Sequence, residues 1–154
     1  MEKDRVKKVY FRPDEDGFYG VYYPNENETN KAMIVMLGDS SDDRMAVSGV
    51  KWMQKLGCNV LAMSPDKQDY GHHNYPLDRF EKALSYLKTQ GNEKIGIAGA
   101  STTGMLALVA ASYFTDITLT IAISPPDFVM EGFYQDGKTA LMSVPVTINP
   151  PFPA

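Results

Sequence analysis

Apolar and polar positions divide the chain into six short apolar runs, with helix-like segments between the later ones. "VKKVYF" and "FYGVYYP" are aromatic, β-branched stretches on either side of "RPDEDG", a turn-rich hexapeptide, and together they predict a hairpin. After the polar loop "NENETN", "AMIVMLG" (Ala32 to Gly38) is unbroken apolar sequence, the pattern of a strand buried on both faces. "CNVLAMSP", "KIGIAGA" and "ITLTIAIS" repeat that pattern further on. Strands are expected near residues 6–11, 18–24, 32–37, 59–63, 95–100 and 118–123.

Between the buried runs the pattern becomes helical. "DSSDD" carries helix-start chemistry, because Ser or Asp can cap the first amides and acidic groups suit the positive end of the helix dipole. The helix runs through "RMAVSGVKWMQKL" with Ala46, Val50 and Met53 on one face, and Gly57 stands where a left-handed residue closes it. Pro76 suits a first helical turn. "PLDRFEKALSYLKTQG" then sets Leu77, Phe80, Ala83, Leu84 and Leu87 in one amphipathic stripe. "TTGMLALVAASYF" is the third helix. Regular alternation of strand and helix after the hairpin predicts an α/β fold, a three-layer α/β/α sandwich around a mostly parallel sheet of about six strands.

Composition narrows the class. The 154 residues are 44% hydrophobic and 22% charged, enough for one domain with a real core. A net charge of −4 without a Lys/Arg cluster leaves no footprint for nucleic acid or an anionic membrane. No apolar run approaches the roughly 20 residues that span a bilayer, and "MEKDRVKKVY" has no apolar signal core. Cys58 is the single cysteine, so no intrachain disulfide is available, and the sequence predicts a cytoplasmic protein. Cys58 opens a buried strand and reads as a core thiol.

The chemistry concentrates at "GIAGASTTGM", which reads as strand, sharp turn and helix with Ser101 at the corner. A nucleophile elbow needs that corner: it lifts the hydroxyl clear of the sheet and aims a helix N-terminus at developing negative charge. Its neighbours must be small, and Gly99, Ala100 and Gly104 are. The usual G-x-S-x-G spacing would put glycine at position 103, where Thr103 is β-branched and suits a crowded turn less well. The competing reading makes Ser101 the N-cap of the helix beginning at Thr102. The buried strand before it and the Ala-rich helix after it favour the nucleophile, whose backbone should then lie outside the helical and extended basins.

From "AMIVMLGDSSDD" through "VLAMSPDKQDYG", "LDRFEKALSYLK" and "KIGIAGASTTGM" to "TLTIAISPPDFVMEGF", about residues 6 to 135, the chain resembles the α/β-hydrolase superfamily. Within it the resemblance is to the acyl-CoA thioester hydrolase and bile-acid-CoA:amino-acid N-acyltransferase C-terminal domain family. That resemblance implies the strand order 1-2-4-3-5-6 and a serine that attacks a small-molecule acyl ester or thioester. It also implies an oxyanion hole built from the backbone N–H of Thr102 and one from the loop after the third strand, near Asp39 or Ser40. No cofactor is called for, and no acidic-plus-histidine spacing fixes three metal ligands on one element.

In this superfamily the triad runs nucleophile, acid, histidine along the chain. Here no histidine follows Ser101. The expectation is a C-terminally truncated hydrolase core that lacks the triad acid and histidine and is nearly inactive alone. His72 and His73, in the loop after the fourth strand, are the candidates for a substitute base, although exposed loop histidines are the favoured reading. Asp127 is read as capping the turn after Pro126 rather than lining a pocket. Residues 1–138 are expected to form the core and 139–154 an atypical tail, since "TALMSVPVTINPPFPA" has four prolines and no charge, as an out-of-frame continuation would. Without later strands the sixth becomes an exposed apolar edge, so a homo-oligomer through it, or cover by "SVPVTI", is expected. The alternative of a different class is a non-catalytic remnant or ligand-binding module that keeps the hydrolase fold.

Overall fold

The computed structural model describes residues 7–64 and 75–127. In chain order they form β1 (Val9–Phe11), α1 (Pro13–Asp16), β2 (Gly20–Tyr23), β3 (Lys31–Met36), α2 (Arg44–Lys55), β4 (Asn59–Met63), α3 (Asp78–Thr89), β5 (Lys94–Ala100), α4 (Thr102–Tyr113) and β6 (Ile117–Ile123). The strands make one sheet in the order β1-β2-β4-β3-β5-β6, the order that the resemblance implied. β1 pairs antiparallel with β2 and β2 antiparallel with β4, while β4, β3, β5 and β6 run parallel.

Side-chain alternation along β3 separates the two faces. Met33 and Val35 join Ala46, Val50 and Met53 of α2 on one face. Ile34 and Met36 join Leu84 and Leu87 of α3 and Leu106 of α4 on the other. The result is the expected three-layer sandwich. The whole predicted stripe of Leu77, Phe80, Ala83, Leu84 and Leu87 is buried. α4 has no polar face, and most of its length is covered accordingly. No helix among the described residues is long and apolar enough to cross a membrane.

Two local expectations shift. The hairpin connection contains a helical turn: Pro13 opens "PDED", the Asp16 carboxylate accepts from the Arg12 N–H at 2.8 Å, and β1 keeps only three residues. Pro76 lies ahead of α3, where its carbonyl accepts from the Arg79 N–H, so the helix starts at Asp78.

The segment joining β3 to α2 is tied to the sheet from below. The Tyr23 hydroxyl donates to the Ser41 carbonyl at 3.0 Å, and the buried hydroxyls of Ser41 and Ser64 share a hydrogen bond of 2.8 Å. Burial pushes the Tyr23 phenol up to about 12, helped by the nearby Tyr10, Asp42 and Asp43, so it remains a donor across physiological pH. The middle of that segment is thereby held on the β2 and β4 side of the sheet.

Candidate active site

Ser101 links β5 to α4 with φ 53° and ψ −124°, outside both the helical and the extended basins. It occupies the N-cap position of α4, but its side chain is exposed and makes no capping hydrogen bond. The backbone is held on both sides: the Ser101 N–H donates to the Ile123 carbonyl at 2.8 Å, and its carbonyl accepts from the Met105 N–H at 3.2 Å. Among the described residues only Ser124 shares a positive φ without being glycine. Such a conformation costs on the order of 1–3 kcal/mol and persists because its surroundings over-determine it.

The small neighbours have distinct jobs. A Cβ built on Gly99 would lie 2.2 Å from the Thr103 carbonyl oxygen and 2.9 Å from the Gly104 nitrogen. One on Gly104 would lie 3.3 Å from the carbonyls of Gly99 and Ile123. The first turn of α4 thus rests backbone to backbone on β5 and β6. Thr103 does not crowd the turn as its β-branch suggested. It is buried, and its Oγ1 accepts from the Ala100 N–H at 2.9 Å. The same hydroxyl donates to the Met36 carbonyl at 2.5 Å, with the Ala100 carbonyl at 2.9 Å as its other acceptor. A hydrogen-bonded threonine stands where the usual spacing has glycine, and it fastens the elbow to the end of β3.

Ser101 opens onto a cleft of about 520 Å³, lined among others by Met36, Gly38, Asp39, Asp43 and Thr102. Thr102 is the first residue of α4, so its N–H has no intrahelical acceptor and is available to a ligand. The other expected donors are differently placed. The N–H groups of Asp39 and Ser40 both donate to Oδ2 of Asp43, at 2.7 and 3.0 Å, and Ser40 does not line the cleft. Asp43 is the N-cap of α2, and its Oδ1 accepts from the Ala46 N–H at 2.8 Å. Gly38, at φ 82°, makes room for this: a Cβ there would lie 2.2 Å from Oδ1 of Asp43. Burial opposes ionisation of Asp43, but bonds from the backbone N–H groups of Ala46, Ser40, Asp39 and Met45 outweigh it and hold its pKa below the usual value.

Sequence reasoning singled out the serine and missed the carboxylate that lines the same cleft. Asp43 stands three residues before Ala46, the spacing of a cap, and that signal was present. The second reach of its carboxylate, back onto the loop amides, has no signature in spacing. His72, His73 and the tail after Lys138 lie outside the described residues. Asp127 is exposed and does not line the cleft. Burial pushes the Cys58 thiol up, with Lys31 opposing, as suits a partly covered core cysteine.

A mostly parallel sheet in this order, with a strained exposed serine between strand and helix, is the arrangement of the α/β-hydrolase fold. Solved structures with that fold include a protein of unknown function from Agrobacterium tumefaciens described as an α/β-hydrolase candidate (TM-score 0.60, 17% identity, 77% of this chain and 60% of that one). Est1E from Butyrivibrio proteoclasticus gives a TM-score of 0.55 at 21% identity, over 77% of this chain and 50% of that one. The α/β hydrolase GrgF from Penicillium sp. sh18 gives 0.56 at 18%, over 77% and 45%. The chain therefore spans 60% or less of the length of each. None of the curated proteins matches it. Residues 75–149, a little under half of the chain, match the family described as BAAT / Acyl-CoA thioester hydrolase C terminal. The chain has the fold of the α/β hydrolases, and residues 75–149 are similar to the acyl-CoA thioester hydrolase C-terminal family. The family match continues past Lys138, where the change of composition had suggested a boundary.

Proposed function

We propose that this chain carries the nucleophile and one oxyanion donor of a serine-dependent acyl ester or thioester hydrolase or acyltransferase. The observation that carries the reading is Ser101 itself, exposed over a cleft at φ 53° with no capping bond to occupy its hydroxyl. Oγ attacks the acyl carbonyl carbon, and the charge that develops on the carbonyl oxygen faces the Thr102 N–H and the α4 N-terminus. The thiol or alcohol leaves with a proton, and water or an amine then takes the acyl group from Oγ.

A base must accept the serine proton and return it to the leaving group. The histidines of this sequence, His72 and His73, both precede Ser101 and are the candidates for a substitute base. Without a base, the loss in a serine protease is about a millionfold in turnover, with roughly 10³–10⁴ over water retained by the oxyanion hole and binding. We accordingly expect this chain by itself to hydrolyse acyl-CoA or nitrophenyl esters barely above background.

One observation favours a second reading, a binding module that keeps the fold without the chemistry. Asp43 already occupies the amides of Asp39 and Ser40 that a second oxyanion donor would use. Labelling with a fluorophosphonate probe separates the two. Labelling that Ser101→Ala abolishes supports the nucleophile. Equal labelling of both proteins, with an acyl ligand still bound, leaves the binding module. Turnover near an ordinary enzyme's roughly 10 s⁻¹, lost in Ser101→Ala, would overturn the inactive expectation, and its loss in His72→Ala or His73→Ala would identify the base.

A further inference from the structure

The carboxylate of Asp43 serves two elements with its two oxygens. Oδ1 caps α2 through the Ala46 N–H at 2.8 Å, which is all that an N-cap requires. Oδ2 serves the loop instead, accepting from the N–H groups of Asp39 at 2.7 Å and Ser40 at 3.0 Å. Gly38 is suited to this arrangement, since a Cβ there would collide with both carboxylate oxygens. Asp39 and Asp43 line the cleft onto which Ser101 opens, whereas Ser40 does not. An anion therefore already sits on an amide at the border of the cleft.

Bonds from backbone N–H groups hold the Asp43 pKa below its usual value, so the occupant is ionised at neutral pH. The oxyanion formed when Ser101 attacks an acyl carbon carries the same charge, and like charges at close range do not share one donor. The loop has little room to withdraw. The Ser41 carbonyl accepts from the Tyr23 hydroxyl, and the buried hydroxyls of Ser41 and Ser64 are bonded to each other. The Asp43 side chain is the freer part: a turn about its own bonds takes Oδ2 off the loop, and α2 keeps its cap as long as one oxygen reaches the Ala46 N–H.

We infer that Asp43 is an autoinhibitory latch on the cleft: Oδ2 occupies the Asp39 N–H in the resting protein, and a reacting acyl group gains that N–H as a second donor, beside Thr102, only when Oδ2 lets go. The inference rests on the reading of Ser101 as nucleophile and adds to it a resting state held closed from within. Asp43 is a positioning residue in this scheme, acting on the reacting oxygen through an amide that it withholds. The scale is set by what one oxyanion donor contributes, about 10²–10³ in rate.

Two variants of the full chain separate the latch from the cap. Asp43→Ser keeps a preferred N-cap oxygen and leaves none for the loop, while Asp43→Ala removes both. The rate at which a fluorophosphonate probe labels Ser101 reads the latch, because the phosphonyl oxygen takes the place of the oxyanion. Both variants should label faster than the parent, by about tenfold or more of the 10²–10³ available, even though Asp43→Ala melts lower. A merely structural role predicts labelling that slows in step with lost stability. Equal or slower labelling in Asp43→Ser overturns the latch and leaves Ser101 as the nucleophile. No labelling of any of the three proteins, or labelling that persists in Ser101→Ala, removes the nucleophile and the latch with it. The parent gives a second measurement that needs no Asp43 variant. On labelling, the Asp39 amide should exchange Asp43 for the probe's oxygen, so its nuclear magnetic resonance signal and that of the Asp43 carboxylate should both shift. Signals that stay in place in the labelled protein overturn the inference.

Discussion

The α-carbon of Gly99 faces the carbonyl of Thr103 so closely that a single added methyl group would lie 2.2 Å from its oxygen. This contact sets the height at which α4 leaves the sheet, and therefore where Ser101 stands. Gly99→Ala should destabilise the chain by roughly 1–3 kcal/mol or more, since the obstacle is backbone and cannot swing away. Gly57→Ala is the control. Its Cβ meets open space at φ 81°, so only the left-handed conformation is penalised, by about 1–2 kcal/mol. Urea midpoints of the two variants decide the matter: equal shifts would discard the clash argument. Ser101 labelling should also slow in Gly99→Ala and not in Gly57→Ala.

Thr103→Val keeps the shape and removes the hydroxyl. It takes the partner from the Ala100 N–H and from the Met36 carbonyl, and should cost about 1–3 kcal/mol in chemical denaturation. Thr103→Ser should recover most of it. If Val is tolerated as well as Ser, the hydroxyl is not what joins the elbow to β3.

Asp43 gives the acid limb of the stability curve a sign. Its folded-state pKa lies below the ordinary 3.8, so the ionised carboxylate binds the loop amides more strongly than solvent does. That contribution is complete above the unfolded pKa and fades as pH falls through the folded one. Asp43→Asn should therefore be less stable than the parent near pH 6, with the gap narrowing as pH drops below about 4. Thermal melts from pH 2.5 to 6 would show it, and a gap that widens on acidification contradicts the assignment.

Cys58 should alkylate slowly. Its thiol is partly covered and its pKa is raised by burial, so the thiolate fraction at pH 7.5 is small. Iodoacetamide labelling should accelerate with rising pH and on adding urea. A rate matching an unhindered peptide thiol at pH 7.5 would mean the side chain is open to solvent.

The parts of this fold that were legible in the sequence are those governed by local pattern. β3, β4 and β5 are uninterrupted apolar runs because both faces of the sheet are covered, and α3 shows one stripe because only one side is. The serine corner was legible because strand, small residues and helix follow one another directly. What stayed hidden depends on partners distant in sequence. Arg79 sits in the polar phase of α3 yet is only 2% exposed, with Tyr75 5.4 Å from its guanidinium carbon. Thr103 departs from the motif in sequence, and its acceptor, the Met36 carbonyl, lies 67 positions away along the chain. Asp43 looked like a plain cap, and its hold on Asp39 and Ser40 follows from the path of a loop that composition does not encode.

The bond from Thr103 to Met36 joins residues 67 positions apart, and it crosses the seam where β3 lies beside β5. Closing so long a loop costs chain entropy before any contact repays it. The two rims of the cleft, Gly38 and Asp39 on one side and Ser101 and Thr102 on the other, therefore meet only once that seam has closed. The cleft is a product of the finished fold rather than of any early local unit. A small acyl ligand seated there would act as a clasp on the whole central sheet, slowing global unfolding more than loop fluctuation.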